Sequence, residues 1–319
     1  MLRLILFLLT LGAPVQADVL AATNRIGTGY ADFAQASARL ADATADCDPA
    51  AMIPAYHAAF DAWLGVAHVR LGPVEQDGYA LAIAFWPDPK ALGAKAQRGL
   101  LAGDPARLQP KSFAEESVAA RGLMGLERLL YPDDAPGEET CPLIRATAAD
   151  LARMAQQIAA DWPAFATLLI HAGKPGNTRF LTEAEARQTL LTQIATTLDF
   201  NASQRLGRPM GSFNTPRPTR AEARASGRSQ RNLVLSLRAL RAMAADLHPD
   251  IPRSLAAFDR AIRLAEALDD PVFAGVESPA KRLKLDIVQQ AVLAARDTVL
   301  SELAPALGVG LGFNALDGD

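Results

Sequence analysis

Five separate segments of this chain begin with the side chains that start an α-helix, and nothing between them alternates as a β-strand does. Ser112-Phe113-Ala114-Glu115, Thr182-Glu183-Ala184-Glu185 and Thr219-Arg220-Ala221-Glu222 fit the capping box, in which a hydroxyl and a carboxylate each satisfy an orphan backbone N–H. Ser278-Pro279 and Asp88-Pro89 place a capping side chain before a proline at the first helical position. Near the C-terminus Leu283, Ile287, Ala291, Ala295, Val299 and Leu303 recur every four residues, with Lys281, Lys284 and Arg296 off that stripe. Further helices are predicted over about 19–45, 50–70, 113–131, 142–171, 183–206, 228–247 and 254–269. Half the residues are hydrophobic but only 6% aromatic, and the apolar mass is mostly Ala and Leu, which suits helices better than sheets. The expected fold is all-α.

At 319 residues the chain exceeds the roughly 250 to 300 at which a single core stops growing, so two domains are expected. The breaker-rich stretch Ala172-Gly173-Lys174-Pro175-Gly176-Asn177 separates two groups of about four helices. Two helical bundles side by side, over 18–174 and 175–319, bury such stripes economically. Residues 207–218, rich in Gly and Pro, are expected to form a long and functional loop.

Residues 1–17 read as an export signal: Arg3 supplies the positive region, Leu4 to Leu11 the apolar stretch, and Val15-Gln16-Ala17 the cleavage site. The expected location is the periplasm. The apolar stretch is shorter than the ~20 residues that span a bilayer, and no later segment runs that far without a charge, so no transmembrane segment is expected in the mature chain. The net charge is −3, or −4 once the signal and its single Arg3 are removed, which makes nucleic acid a poor partner. The two cysteines, Cys47 and Cys141, can pair in an oxidising compartment or stay as two buried thiols.

The segment from Arg121 to Tyr131 is similar to the stretch that carries Gly-x-His-x-x-Glu in imelysin-like proteins. Gly122 and Glu127 match, and Met124 stands where the family has His. Other stretches resemble the same family: Ala62-Trp63 through Arg70-Leu71-Gly72-Pro73, Phe85-Trp86-Pro87-Asp88, Arg217-Pro218 through Asn232-Leu233, and the C-terminal run from Leu311 to Asp319. They span nearly the whole mature chain in order. The resemblance implies two helical-bundle domains, a cell-envelope location, association with iron uptake, and a peptidase label inherited from the insulin-cleaving founder.

A His and a Glu three residues apart on a helix could present an imidazole and a carboxylate to one metal ion. Met124 offers instead a soft thioether that cannot act as a general base. Glu127 remains a candidate metal ligand and, lying among leucines, should need a partner. The segment Arg205 to Arg241 holds nine arginines and one acid, Glu222, so Arg228 is the expected counter-charge, with an anion cradle possible beside Ser226 and Ser229. Glu116 lies about three turns from Glu127 on the same predicted helix and is expected to face the same cleft. Trp63, Arg70 and Trp86 are candidate pocket walls. The histidines form no metal-spaced cluster, and His57 with Asp61, one turn apart, reads as structural.

The common enzyme signatures are absent. The expected function is a periplasmic binding or accessory component linked to iron or other metal uptake through an interdomain cleft, taking a metal or a small anionic ligand. A metallopeptidase-like hydrolase and a scaffold for another cell-envelope protein are the alternatives.

Overall fold

The computed structural model describes residues 17–132 and 137–310. Residues 1–16 of the expected signal and the C-terminal run from Leu311 lie outside the described residues. Twelve helices appear among those described: α1 (Ala17–Ala43), α2 (Pro49–Val66), α3 (Tyr79–Ile83), α4 (Leu92–Leu101), α5 (Pro110–Ala114), α6 (Gly122–Leu130), α7 (Cys141–Ile170), α8 (Glu183–Phe200), α9 (Gly207–Met210), α10 (Ser229–Leu247), α11 (Pro252–Glu266) and α12 (Pro279–Ala306). No strand lies among them, so the protein is all-α. None of these helices is long and apolar enough to cross a membrane.

Long α1 packs on both α7 and α2, and the buried face of α2 includes Met52, Tyr56, Phe60 and Trp63, spaced at three and four residues. The later helices α8, α10, α11 and α12 pack among themselves. Helix α10 also packs on α1 and α2, and an Arg25–Asp246 ion pair joins α1 to α10. The buried apolar core therefore runs without a break through both groups of helices. The loop between α7 and α8 contains the expected boundary.

Local chemistry explains where the predicted helices hold and where they fail. Thr182 caps α8 by accepting from Glu185 N at 3.2 Å, while the Glu185 carboxylate accepts from Leu181 N at 2.7 Å. Pro279 opens α12 as expected, but the Ser278 side chain makes no capping hydrogen bond. Asp88 does cap a helix, but α4 begins at Leu92 rather than Pro89, and the carboxylate accepts from Leu92 N and Gly93 N at 2.9 and 2.8 Å. The expected caps at Ser112 and Thr219 do not form: Ser112 lies inside α5 and Thr219 inside a single 3₁₀ turn.

The continuous helix predicted over 113–131 is broken into α5, a 3₁₀ turn at Val118–Ala120, and α6. Gly122 opens α6 with φ +64°, and a Cβ there would lie 2.1 Å from Ala82 O and 2.4 Å from Ile83 O. Only glycine lets this corner meet the end of α3. The four-residue stripe of α12 also fails at its start, where Leu283 and Ile287 are 59% and 43% exposed. A step of four residues overshoots one helical turn by about 40°, so a long stripe of that period rotates off the buried face. The buried positions there are Leu285 and Val288.

A disulfide joins Cys47, just before α2, to Cys141 at the start of α7, with Cα atoms 6.0 Å apart. It closes a loop across 94 residues of sequence. The Cys47→Ser, Cys141→Ser double variant should lose about 4 kcal/mol in urea unfolding, by the loop-entropy relation. A loss under about 1 kcal/mol would show that the bridge does not constrain the unfolded chain.

Candidate functional site

Glu127 on α6 is 5% exposed. Its partner is Ser226, whose hydroxyl and backbone N–H both donate to Oε1, at 2.6 and 2.9 Å. The expected compensation by Arg228 is therefore corrected to a hydroxyl and an amide. Burial raises the Glu127 carboxyl above its ordinary value, the two Ser226 bonds oppose that, Glu222 adds to it, and Arg128 opposes it weakly. Ser226 reaches α6 from a tight loop at 221–228, in which Ala223 and Gly227 adopt positive φ and Arg228 N donates to Ala223 O at 2.9 Å. Met124 and Glu127 face a cavity of about 380 Å³ shared with Trp86, Arg208 and Arg224.

Arg228 is 1% exposed and directs its guanidinium at α2. Nη2 donates to Asp61 Oδ1 at 2.5 Å, Nη1 to His57 Nδ1 at 2.8 Å, and Nε to Asn232 Oδ1 at 3.2 Å. The Phe60 ring lies 4.7 Å from the guanidinium carbon. A guanidinium only donates, so His57 Nδ1 accepts, and the proton on Nε2 points at the Tyr131 hydroxyl, 2.8 Å away. Burial and the neighbouring Arg228 charge hold the His57 pKa below its usual value. Arg231 completes the group as a second partner of Asp61.

A second set of buried polar groups adjoins this one. Arg205, on the π-helical turn Asn201–Leu206, donates to both Glu222 oxygens at 2.8 and 3.2 Å and to Asn201 Oδ1 at 2.7 Å. Asn232 Nδ2 donates to Glu222 Oε2 at 3.0 Å, linking this pair to Arg228. Arg205, Glu222 and Ser236 form one side of a cavity of about 540 Å³ whose other side is built by Trp63, His68 and Arg70. Trp86 borders both cavities.

The structure thus gathers Met124, Glu127 and Trp86 around one cavity, with Ser226 bonded to Glu127 behind it, and Trp63, Arg70 and Trp86 around the other. Gly122 shapes the α6 corner. Glu116 is not part of either: it follows the break after α5 and takes both guanidinium donors of Arg107, at 2.8 and 2.7 Å. Its expected alignment with Glu127 required a continuous helix.

The family model for imelysin, labelled Peptidase M75, matches residues 19–299. The chain belongs to the imelysin family. An iron-regulated protein A of Synechococcus elongatus is 24% identical over 276 residues, covering 79% of this chain and 73% of that one. An imelysin-like protein from Psychrobacter arcticum superposes with a TM-score of 0.77 at 20% identity, over 95% of this chain and 99% of that one. A structure described as a candidate iron-regulated protein A precursor from Parabacteroides distasonis gives 0.58 at 13% identity, over 90% and 95%. These two structural likenesses establish the imelysin fold. Within it, this member carries Met124, 6% exposed, beside Glu127.

Sequence reasoning set His57 and Asp61 aside as structural and assigned nothing to His68. The His57–Asp61 spacing was the available signal, since it puts both side chains on one helix face that an arginine can bridge. His68 stood two residues before Arg70 with no pattern of its own.

Two measurements check this geometry. Arg228→Met leaves Asp61 to Arg231 alone and the His57 Nδ1 and Asn232 Oδ1 acceptors without this donor, and should cost about 1 to 3 kcal/mol in urea unfolding, whereas a loss under about 0.5 kcal/mol would mean the guanidinium is not structural. Because burial raises the Glu127 pKa, the fold favours its protonated form, and that stabilisation is lost as pH rises from 4.5 through the folded value. Wild type should accordingly fall in stability relative to Glu127→Gln across that window, and a constant difference would contradict the assignment.

Proposed function

We propose that the protein is a periplasmic binding or accessory component linked to the uptake of iron or another metal, acting through a cleft between its two helical halves. The observation that carries this reading is the pair of adjoining cavities, each lined by residues from both sides of the α7–α8 loop and joined at Trp86. The iron link rests on the relative named iron-regulated protein A, and the periplasmic location on the signal-like residues 1–17.

The side chains around Glu127 do not fit a bare metal ion. Oε1 is committed to Ser226, Met124 offers only a thioether, and no group of three or more His, Cys, Asp or Glu suited to a metal lies among the described residues. A metallopeptidase needs a metal-held or base-activated water, and the same residue set gives that alternative no support. The role is therefore accessory binding rather than peptide hydrolysis.

Deleting the protein should slow growth and radiolabelled iron uptake in iron-limited medium and leave iron-replete growth unchanged. A wild-type copy should restore both and should be recovered from the osmotic-shock fraction without residues 1–17. Unchanged iron uptake in the deletion strain would remove the link to iron. Recovery of an envelope protein partner by a salt-sensitive pull-down, with uptake unchanged, would favour the scaffold alternative.

A further inference from the structure

Glu127 leaves one of its two carboxylate oxygens unused. Oε1 takes both bonds from Ser226, at 2.6 and 2.9 Å, whereas Oε2 accepts no hydrogen bond among the described residues and is not closed off from solvent. The side chain is 5% exposed and lines the smaller cavity, so the open oxygen meets what that cavity holds. Arg208, on α9, lines the same cavity, and its direction is fixed. Its Nε is buried without a partner, and the guanidinium carbon lies 6.0 Å from the centre of the Trp86 ring. Its terminal nitrogens are not closed off and form no ion pair or hydrogen bond among the described residues. Arg220 and Arg224, exposed and without an acidic partner among the described residues, add positive charge at this cavity. The other acid there, Asp88, commits both oxygens to Leu92 N and Gly93 N.

We propose that this cavity binds a small zwitterion, its ammonium on Glu127 Oε2, its carboxylate on Arg208 and its carbon frame against Trp86 and Met124. The proposal rests on the reading that the cleft between the halves binds a ligand, and it names the ligand class. Glu127 and Arg208 lie on either side of the α7–α8 loop, so such a ligand joins the two halves. The cavity holds unpaired charge of both signs, and each sign excludes a simpler occupant. A bare cation would meet three guanidinium groups, and a simple anion would meet a carboxylate oxygen that burial has already stripped of water. An ammonium suits that oxygen better than a neutral hydroxyl, because a hydrogen bond between two charged groups is about twice as strong as one between neutral groups. The guanidinium fork matches a carboxylate in the same way. Met124, 6% exposed, asks for no hydrogen bond and leaves Glu127 as the acceptor on α6. A volume of about 380 Å³ is at the small end of ligand sites, which suits a short molecule.

Calorimetry near neutral pH on the purified protein tests this with glycine, 4-aminobutanoate and 6-aminohexanoate, which differ in the separation of their charges. The singly charged acid and amine of matching length, such as butanoate and butylammonium, serve as controls. At least one zwitterion should bind saturably, and at least about tenfold tighter than either matching control. Glu127→Gln keeps an acceptor for Ser226 but removes the charge. It should weaken zwitterion binding at least about tenfold and tighten butanoate binding, whereas a merely structural role would weaken both. Arg208→Gln should weaken the zwitterion and butanoate alike without weakening butylammonium, and Arg208→Lys should restore them in part, because the charge returns without the fork. No saturable zwitterion binding at about 10 mM, butanoate bound as tightly as the best zwitterion, or wild-type zwitterion affinity in either Gln variant would overturn the proposal. Absence of zwitterion binding by a protein whose deletion does slow iron uptake would sink this inference and leave the iron link intact. Zwitterion binding by a protein whose deletion leaves iron uptake unchanged would do the reverse.

Discussion

A guanidinium cannot shed its charge on burial, and the whole middle of this protein is arranged around that fact at Arg228. The residue is 1% exposed, and its acid and imidazole partners both lie on α2, more than 160 positions earlier in the chain. Satisfying it holds α10 against α2. That docking carries the 221–228 loop onto α6, where Ser226 meets Glu127. The carboxylate and the arginine are thus each compensated across the halves, but by different partners.

The polar interior is a connected system. Asp61, His57 and Arg228 join through Asn232 to Glu222, and Glu222 continues through Arg205 to Asn201 and Ser236. Such a network stabilises only when each member finds its partners, because the same low dielectric that strengthens a made bond penalises a missing one. The Tyr56 hydroxyl, whose ring packs against His57, and both ring nitrogens of His68 are buried without a partner among the described residues.

The change from the family's His to Met124 fits this arrangement. A thioether beside Glu127 asks for no hydrogen bond and packs against carbon, so the carboxylate can be held entirely by Ser226. What Glu127 does in this chain is bridge α6 to the loop before α10.

Helical class, the capping box at Thr182 and the family likeness were all legible in the sequence, because each depends on residues close together along the chain. Sequence also singled out Glu127 as a carboxylate in need of a partner, since apolar neighbours at helical spacing announce burial. It pointed to Arg228 as that partner where the structure has Ser226, because the choice turns on how α10 sits against α2. The break at Gly122 was equally hidden: the segment from 113 to 131 is mostly helix formers despite Gly122 and Gly125, and only the approach of α3 backbone requires the corner. The unpaired nitrogens of His68 belong to the same class. Local sequence specified what each segment prefers, while tertiary packing decided which buried charges met and which polar groups were left unpaired, because those depend on contacts between residues far apart in the chain.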